Sequence, residues 1–243
     1  VGIAALPALF ALPLSYFLLH DRTSGTKNTP PTAAESLEAN FGEVLRGYRF
    51  WVMIVAFFLV GACIAGLISA LVPILTDRGV APATAAGVAS VIGIMVIISR
   101  IGAGFLLDRF WAPGVALVLL AIPAVGCFIL ASGIGGVPGA IVAAATIGLA
   151  AGAEFDIMSF MVGKYFGQRR YGIIYSCLYA SFKLSAGVGT PVFGYSFDMN
   201  HSYNFILYVA AGALVAGSAL LLTLGPYLIG APNAHHGHTQ PAQ

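Results

Sequence analysis

The stretch that decides the fold runs from Phe50 to Leu75 and reads FWVMIVAFFLVGACIAGLISALVPIL. None of its 26 residues is charged. A helix needs about 20 predominantly apolar residues to cross the roughly 30 Å hydrocarbon core of a bilayer. The run therefore predicts a membrane-spanning helix. The strands of a membrane β-barrel would instead alternate apolar and polar residues.

Six more apolar runs flank this one. The seven runs are Val1–Leu19, Phe50–Leu75, Ala85–Leu107, Pro113–Ser132, Pro138–Gly163, Gly172–Phe197 and Phe205–Ile229. Of the 243 residues, 59% are hydrophobic and only 8% are charged, whereas soluble domains are about 25% charged. This composition excludes an ordinary soluble protein and a disordered chain. Because irregular backbone cannot face lipid, every run is expected to be helical, which predicts an all-α integral membrane protein with seven transmembrane helices.

The runs divide the chain into four parts. Residues 1–19 form the first helix, and residues 20–49 are the one long connection, with a Thr-, Ser-, Gly- and Pro-rich linker at its start. Residues 50–229 hold the other six helices, and the polar tail 230–243 is expected to be disordered. Since the chain begins at Val1 inside an apolar run, we expect it to be the C-terminal part of a longer protein.

The distribution of cations predicts the orientation. Eight of the 11 Lys and Arg residues fall in three connections on one side of the predicted membrane, and the other side has only Arg78. The eight are four cations within residues 20–49, together with Arg109, Lys164, Arg169 and Arg170. Cytoplasmic loops carry an excess of Lys and Arg. The long connection and the C-terminus are therefore expected in the cytoplasm, with the chain in the plasma (cell inner) membrane.

Four ionisable residues lie inside the runs: Arg100, Glu154, Asp156 and Lys183. A charge in the bilayer is costly, so such a residue usually faces a cavity or a partner. At about 1.5 Å per residue, Arg100, Glu154 and Lys183 lie roughly 10, 14 and 18 Å from the cytoplasmic edge. Two cations and a carboxylate at similar depth predict an anion site with a counter-ion.

Neighbouring residues extend this candidate site. Tyr175 and Tyr179 lie eight and four residues before Lys183, which places them on its helix face. Glu154 and Asp156 are two residues apart and are expected to point in different directions. Other interpretations remain open: Arg100 could snorkel to the interface, Glu154 could form a structural ion pair, and Asp156 and the tyrosines could serve packing.

Glycines predict two local features. Gly148 and Gly152 form a small-xxx-small pattern on the fifth run, which favours close packing of two helices. The sequence Gly133-Ile134-Gly135-Gly136 indicates a tight hairpin between spans. It does not indicate a dinucleotide loop, because no strand precedes it.

The connection after the third run carries Gly104-Phe105-Leu106-Leu107-Asp108-Arg109. A Gly followed four residues later by Asp-Arg at a cytoplasmic helix end resembles the loop signature of the major facilitator superfamily. The resemblance implies the last helix of an N-terminal half followed by the six-helix C-terminal half of a twelve-helix fold, with a 3+3 repeat and a site at the midplane. It further implies a missing N-terminal half as partner, and pairing of Asp108 with Lys164, Arg169 or Arg170.

A finer resemblance concerns the two intramembrane cations. The run from Tyr165 to Gly172 and the arginine before Gly104 resemble the oxalate:formate antiporter and monocarboxylate transporter branches. The antiporter is similar in having an arginine on helix eight and a lysine on helix eleven that bind a small carboxylate, which implies this role for Arg100 and Lys183. Monocarboxylate transporters carry an aspartate one turn before the arginine, where this chain has Val96. Coupling to protons would then fall to Glu154 or Asp156.

These observations predict a secondary transporter of mono- or dicarboxylates that works by alternating access, as antiporter or proton symporter. An exporter of drugs or other small solutes is the alternative, and a non-transporting membrane sensor is the alternative from another class. We expect no enzyme, cofactor or metal site, because no nucleophile–base pair, metal-ligand set or phosphate loop occurs. The expected partners are a small-molecule substrate, possible coupling protons, the lipid bilayer and the N-terminal half, and no nucleic acid.

Overall fold

The computed structural model describes residues 46–168 and 171–227, which all belong to one compact unit beginning at Glu38. Six long helices make up this part, and it contains no strand. They are α1 (Tyr48–Asp77), α2 (Pro82–Arg109), α3 (Ala112–Ser132), α4 (Gly136–Phe166), α5 (Tyr171–Asn200) and α6 (Asn204–Leu220). The all-α prediction is confirmed here. The predicted helix 1–19, most of the connection 20–49 and the tail from residue 228 lie outside the described residues.

Each described helix matches one apolar run, because a chain in lipid can satisfy its backbone groups only within a helix. Helices α1 to α4, and α6 together with the turn that follows it (Asn204–Leu224), are long and apolar enough to cross a membrane. Helix α5, which carries Lys183 and Asp198, is less apolar. The seventh run ends its helix earlier than the sequence predicts. After Leu220 comes a 3-10 turn, Leu221–Leu224, and then Gly225 with a φ of 68° before Pro226, which has no N–H to continue a helix.

The helices pack as two related sets of three. Helix α2 lies mainly against α4, and α5 lies mainly against α1. Helices α3 and α6, which contain no charged residue, pack on each other, and α3 also contacts α4 while α6 contacts α1. If α1, α2 and α3 are exchanged for α4, α5 and α6, the α2–α4 contact becomes the α5–α1 contact and the α3–α4 contact becomes the α6–α1 contact, while the α3–α6 contact is unchanged. This is the pattern of a 3+3 repeat. The α2–α4 and α1–α5 interfaces are therefore equivalent.

Both ends of the bundle are tied by polar contacts. At the end where α4 stops, the Tyr165 hydroxyl donates to the Gly225 carbonyl at 2.6 Å, and the Ala112 N–H donates to the Tyr227 hydroxyl at 2.8 Å. At the other end, Arg78 donates to the side-chain oxygen of Asn204 at 3.2 Å. The predicted hairpin at 133–136 is confirmed there, with positive φ angles at Gly133, Gly135 and Gly136.

Candidate functional site

The α2–α4 interface sets the position of the candidate site. A Cβ atom at Gly148 would lie 2.6 Å from the carbonyl oxygen of Ile92, and one at Gly152 would lie 2.8 Å from the Ser99 Cβ. The Ser99 hydroxyl donates across the interface to the Leu149 carbonyl. The predicted small-xxx-small pattern thus brings α4 against α2 at the residue before Arg100.

Just beyond this contact the two helices line an open pocket of about 460 Å³. Its lining residues are Arg100, Ile101, Gly104, Leu107 and Asp108 from α2 with Asp156, Ser159 and Phe160 from α4. The pocket joins the mid-helix residues Arg100 and Asp156 to Asp108 of the loop motif. The volume falls within the range of small-molecule sites.

Glu154 and Asp156 lie in different surroundings. Glu154 is buried, with 5% of its surface exposed, and its Oε2 atom has no hydrogen-bond partner among the described residues. The charges of Lys183 and, more weakly, Arg100 act on it. Asp156 is half-buried at the pocket wall, where the charge of Arg100 acts on it. Each carboxylate therefore has a different main cation.

Both cations are exposed on the surface of the described helices, Arg100 on α2 and Lys183 on α5. The Lys183 ammonium lies over two ring faces, 5.1 Å from the Tyr179 centroid and 5.6 Å from that of Phe155. Such cation–π contacts offset part of the cost of removing an ammonium from water. Glu154 lies on α4, so the charges of Arg100 and Lys183 act on it from two other helices, α2 and α5.

Three tyrosines precede Lys183 on α5 at four-residue intervals, namely Tyr171, Tyr175 and Tyr179. The Tyr171 and Tyr175 rings stack with centroids 5.5 Å apart, and those of Tyr175 and Tyr179 stack at 6.1 Å. At the start of the row, the hydroxyls of Tyr171 and Ser159 are 2.7 Å apart, which connects α5 to the pocket-lining serine of α4.

Two residues of this arrangement were missed by the sequence reasoning. Phe155 contacts Lys183, and its ring lies 4.9 Å from that of Phe182 and 5.8 Å from that of Tyr179. Its position between Glu154 and Asp156 was the available signal. Tyr171 continues the four-residue spacing backward from Tyr175, and extending that spacing by one step would have included it.

Only part of the loop motif Gly104–Arg109 lines the pocket. Gly104 and Asp108 line the pocket, whereas Arg109 is exposed at the end of α2. The Lys164 ammonium lies 5.3 Å from the ring centroid of Phe160, a pocket residue. Arg169 and Arg170 lie outside the described residues, so the pairing of Asp108 stays a prediction.

The chemistry of the site is that of charge recognition. It offers two cations, the three carboxylates of Asp108, Glu154 and Asp156, serine and tyrosine hydroxyls and aromatic faces. Within residues 46–168 and 171–227, no group of three or more His, Cys, Asp or Glu side chains is placed to hold a metal ion. The arrangement presents both signs of charge to a small organic molecule. The cations that act on Glu154 can pair with an anion while the carboxylate takes up a proton.

Comparison with known proteins places the chain in a family. The sequence profile of the Major Facilitator Superfamily matches residues 1–190. A solved structure of the E. coli fucose:proton symporter FucP, in a variant form, is 17% identical with a TM-score of 0.65, covering 89% of this chain and 53% of that one. A structure of FucP, a Major Facilitator Superfamily transporter, in the outward conformation is 17% identical with a TM-score of 0.63, covering 82% and 48%.

This chain therefore spans about half the length of the transporters whose structures it resembles. No curated protein matches it. The structural likeness shows that the two share a fold, and the profile match covers most of the sequence. The chain belongs to the Major Facilitator Superfamily.

Proposed function

We propose that this chain works as the C-terminal half of a twelve-helix secondary transporter that carries small organic anions by alternating access. The rest of the N-terminal half, of which residues 1–19 would be the last helix, closes the cavity in this proposal. In this proposal the long connection and the C-terminus face the cytoplasm, and the protein lies in the plasma (cell inner) membrane. The proposed substrates are mono- or dicarboxylates, as in the oxalate:formate and monocarboxylate branches.

The observation that carries the proposal is the buried Glu154 carboxylate, on which the charges of two exposed cations, Lys183 and Arg100, act. A lysine or arginine at the centre of a bilayer costs about 2.5–3.5 kcal/mol on insertion scales, so such residues face a cavity or a partner. Lys183 is the main cation acting on Glu154, and Arg100 is the cation acting on Asp156. An anionic substrate can take the place of either carboxylate at an exposed cation.

Each site residue then has a role. Arg100 and Lys183 bind the carboxylate from two helices, and the hydroxyls of Tyr175 and Tyr179 orient it. Glu154 is the counter-ion that the substrate displaces from Lys183 and that a proton can neutralise, and Asp156 neutralises Arg100 between substrates. Asp108 with Gly104 and Arg109 holds the cytoplasmic side closed through Lys164, Arg169 or Arg170.

One comparison distinguishes proton symport from substrate exchange. FucP is a fucose:proton symporter, and a carboxylate that loses its cation to the substrate suits proton uptake as well as exchange. Symport would make uptake depend on an inward proton gradient, whereas exchange would make it depend on trapped substrate. The same vesicles can test both gradients.

The pocket between α2 and α4 favours a second candidate. Asp108 and Asp156 place two carboxylates there against the single cation Arg100. Such a pocket would suit an exporter of cationic drugs, with Glu154 adding a third carboxylate. The exposed ammonium of Lys183, however, would repel a cationic substrate, so the anion carrier is the better-supported function.

The first experiment is counterflow in proteoliposomes with the twelve-helix transporter. Trapped unlabelled oxalate, formate or lactate is tested for driving uptake of the labelled acid. We expect uptake, and we expect Lys183→Gln to reduce it at least roughly 100-fold, which corresponds to about 2.7 kcal/mol of lost binding to a charged partner. Glu154→Gln is expected to retain exchange but to lose any dependence on the proton gradient.

The matched control is Arg46→Gln, which removes an exposed cation outside the pocket lining. This residue has no role in binding or closure in the proposal, so uptake by the control should stay near that of the parent. Full uptake by a folded Lys183→Gln protein would remove the site assignment. No uptake of any acid, together with uptake of a cationic drug, would favour the exporter.

A further inference from the structure

We propose that the acid taken by this site is an aromatic monocarboxylate, whose ring lies against an aromatic wall on α4 and α5 while its carboxylate meets Lys183. The aromatic wall consists of Phe155, Tyr175, Tyr179 and Phe182. This inference rests on the proposed function, because it names the class of organic anion for the same site.

The wall is continuous and spans both helices. Phe155 of α4 lies 4.9 Å from Phe182 in an edge-to-face arrangement and 5.8 Å from Tyr179. Tyr179 in turn stacks on Tyr175 at 6.1 Å. These spacings are those at which aromatic rings attract one another beyond the burial of their surface. A fifth ring from a ligand would meet the same geometry.

Part of the wall is open next to the ammonium. Tyr179 is 38% exposed and Phe155 is half-buried, while Phe182 is buried behind them. Lys183 is exposed on the same side, since its ammonium lies over the Tyr179 and Phe155 rings. An accessible aromatic surface and a cation therefore adjoin each other at one place.

This juxtaposition distinguishes between classes of acid. Formate or oxalate would pair with the ammonium and gain nothing from the rings, which would stay uncovered. An aromatic acid pairs with the ammonium through its carboxylate and also brings its ring edge-on against Tyr179 and Phe155, because Tyr175 and the ammonium already cover the faces of Tyr179. Small-molecule sites commonly combine an aromatic lining with a few charged groups in this way. A saturated ring of the same size would bury similar area without the ring–ring electrostatics.

The test measures binding to the purified twelve-helix transporter by isothermal titration with four probes. Benzoate carries ring and charge, cyclohexanecarboxylate carries charge on a saturated ring, lactate carries charge without a ring, and benzyl alcohol carries the ring without charge. We expect benzoate to bind roughly three- to tenfold more tightly than cyclohexanecarboxylate, the range that one aromatic pair supplies. Lactate should bind more weakly still, and benzyl alcohol should show no saturable binding.

Variants locate the preference. Tyr179→Leu and Phe155→Leu are expected to bring the benzoate-to-cyclohexanecarboxylate ratio close to one. Tyr179→Phe keeps the ring, so it should keep the ratio even if the overall affinity falls. Tyr195→Leu, an exposed tyrosine farther along α5, is the matched control and should leave the ratio unchanged. If Phe155→Leu fails to fold, the comparison of Tyr179→Leu with Tyr179→Phe decides the test. Tyr179 is partly exposed, so both of its variants are expected to fold.

Each outcome has one meaning. A ratio of one in the parent, with saturable binding of all three acids, would overturn the aromatic class and leave the anion carrier standing. A ratio that persists in Tyr179→Leu and Phe155→Leu would overturn the assignment to this wall. Absence of saturable binding by all three acids would overturn this inference. Uptake of oxalate or formate in the counterflow experiment would then leave the anion carrier standing, and its absence would remove the proposed function as well.

Discussion

The α2–α4 and α1–α5 interfaces are equivalent in the 3+3 repeat, yet they are filled differently. Both depend on glycines, since added Cβ atoms would meet Ser99 at Gly152 and the backbone of Ala62 at Gly189. In the α1–α5 interface, phenylalanine rings then occupy the space above glycines, with Phe193 against Gly66 and Phe182 against Gly61. In the α2–α4 interface, the space beyond the glycines remains open as the pocket with Arg100 and Asp156.

The difference shows how one packing device serves two purposes. Without a hydrophobic force between helices in lipid, close contact through small residues supplies the adhesion. Where rings complete the contact, the interface is closed and apolar. Where no ring fills the space above the glycines, as between α2 and α4, the same adhesion supports an open pocket lined by charges. The repeat thus gives a structural interface and a candidate binding interface from one arrangement of helices.

The largest expected effect comes from removing a ring on each side. Phe193 is 3% exposed, so Phe193→Ala leaves a cavity and should lower the free energy of unfolding by about 3 kcal/mol. Phe160→Ala, at the wall of the existing pocket, should cost less than about 1 kcal/mol, because it enlarges a space that is already open. Unfolding in mixed micelles measures both. Equal losses would contradict the distinction between a closed and an open interface.

The next effect tests whether the two interfaces use glycine in the same way. Gly152→Ala and Gly189→Ala should each lower the free energy of unfolding by about 1–3 kcal/mol, since the new methyl group meets the facing helix. Gly102→Ala and Gly187→Ala are the controls on α2 and α5, because nothing lies within 4 Å of a Cβ atom there. These controls should gain up to about 1 kcal/mol from helix propensity.

A loss at only one of the two interface glycines would show that the interfaces are not mechanically equivalent. The same unfolding measurement serves both pairs, and each control lies on a helix of the interface that it tests. A loss at Gly187, only two residues from Gly189, would indicate that α5 tolerates no added methyl group and would remove the argument from close approach.

The sequence predicted the helices well because lipid leaves the backbone few choices. A run such as Phe50–Leu75 can only be helical, and α1 extends it by two residues at each end. The end of α6 was missed because Gly225 and Pro226 interrupt a stretch that remains apolar, and hydropathy does not register backbone conformation. Composition decides which segments enter lipid, and local backbone chemistry decides where their helices stop.

The site was predicted less completely, for a different reason. The depth of Glu154 and Lys183 follows from counting residues along a helix. That Phe155 contacts Lys183 follows from how α4 and α5 lie against each other, which counting along one helix cannot reveal. The pocket at Arg100 depends on the crossing of α2 and α4, which the glycine pattern suggested without indicating which space would remain empty.

The smallest expected effect concerns the hydroxyls at the two interfaces. The Ser99 hydroxyl donates across to α4, whereas the buried Ser185 hydroxyl donates within its own helix to the Phe182 carbonyl at 2.6 Å. Interhelical hydrogen bonds in membranes contribute about 0.6 kcal/mol on average. Ser99→Ala should therefore lower the free energy of unfolding by about that amount, and Ser185→Ala should leave it nearly unchanged. A larger loss at Ser185 would mean that the closed α1–α5 interface depends on its hydroxyl. Polar contact across the helices would then not distinguish the candidate binding interface from the structural one.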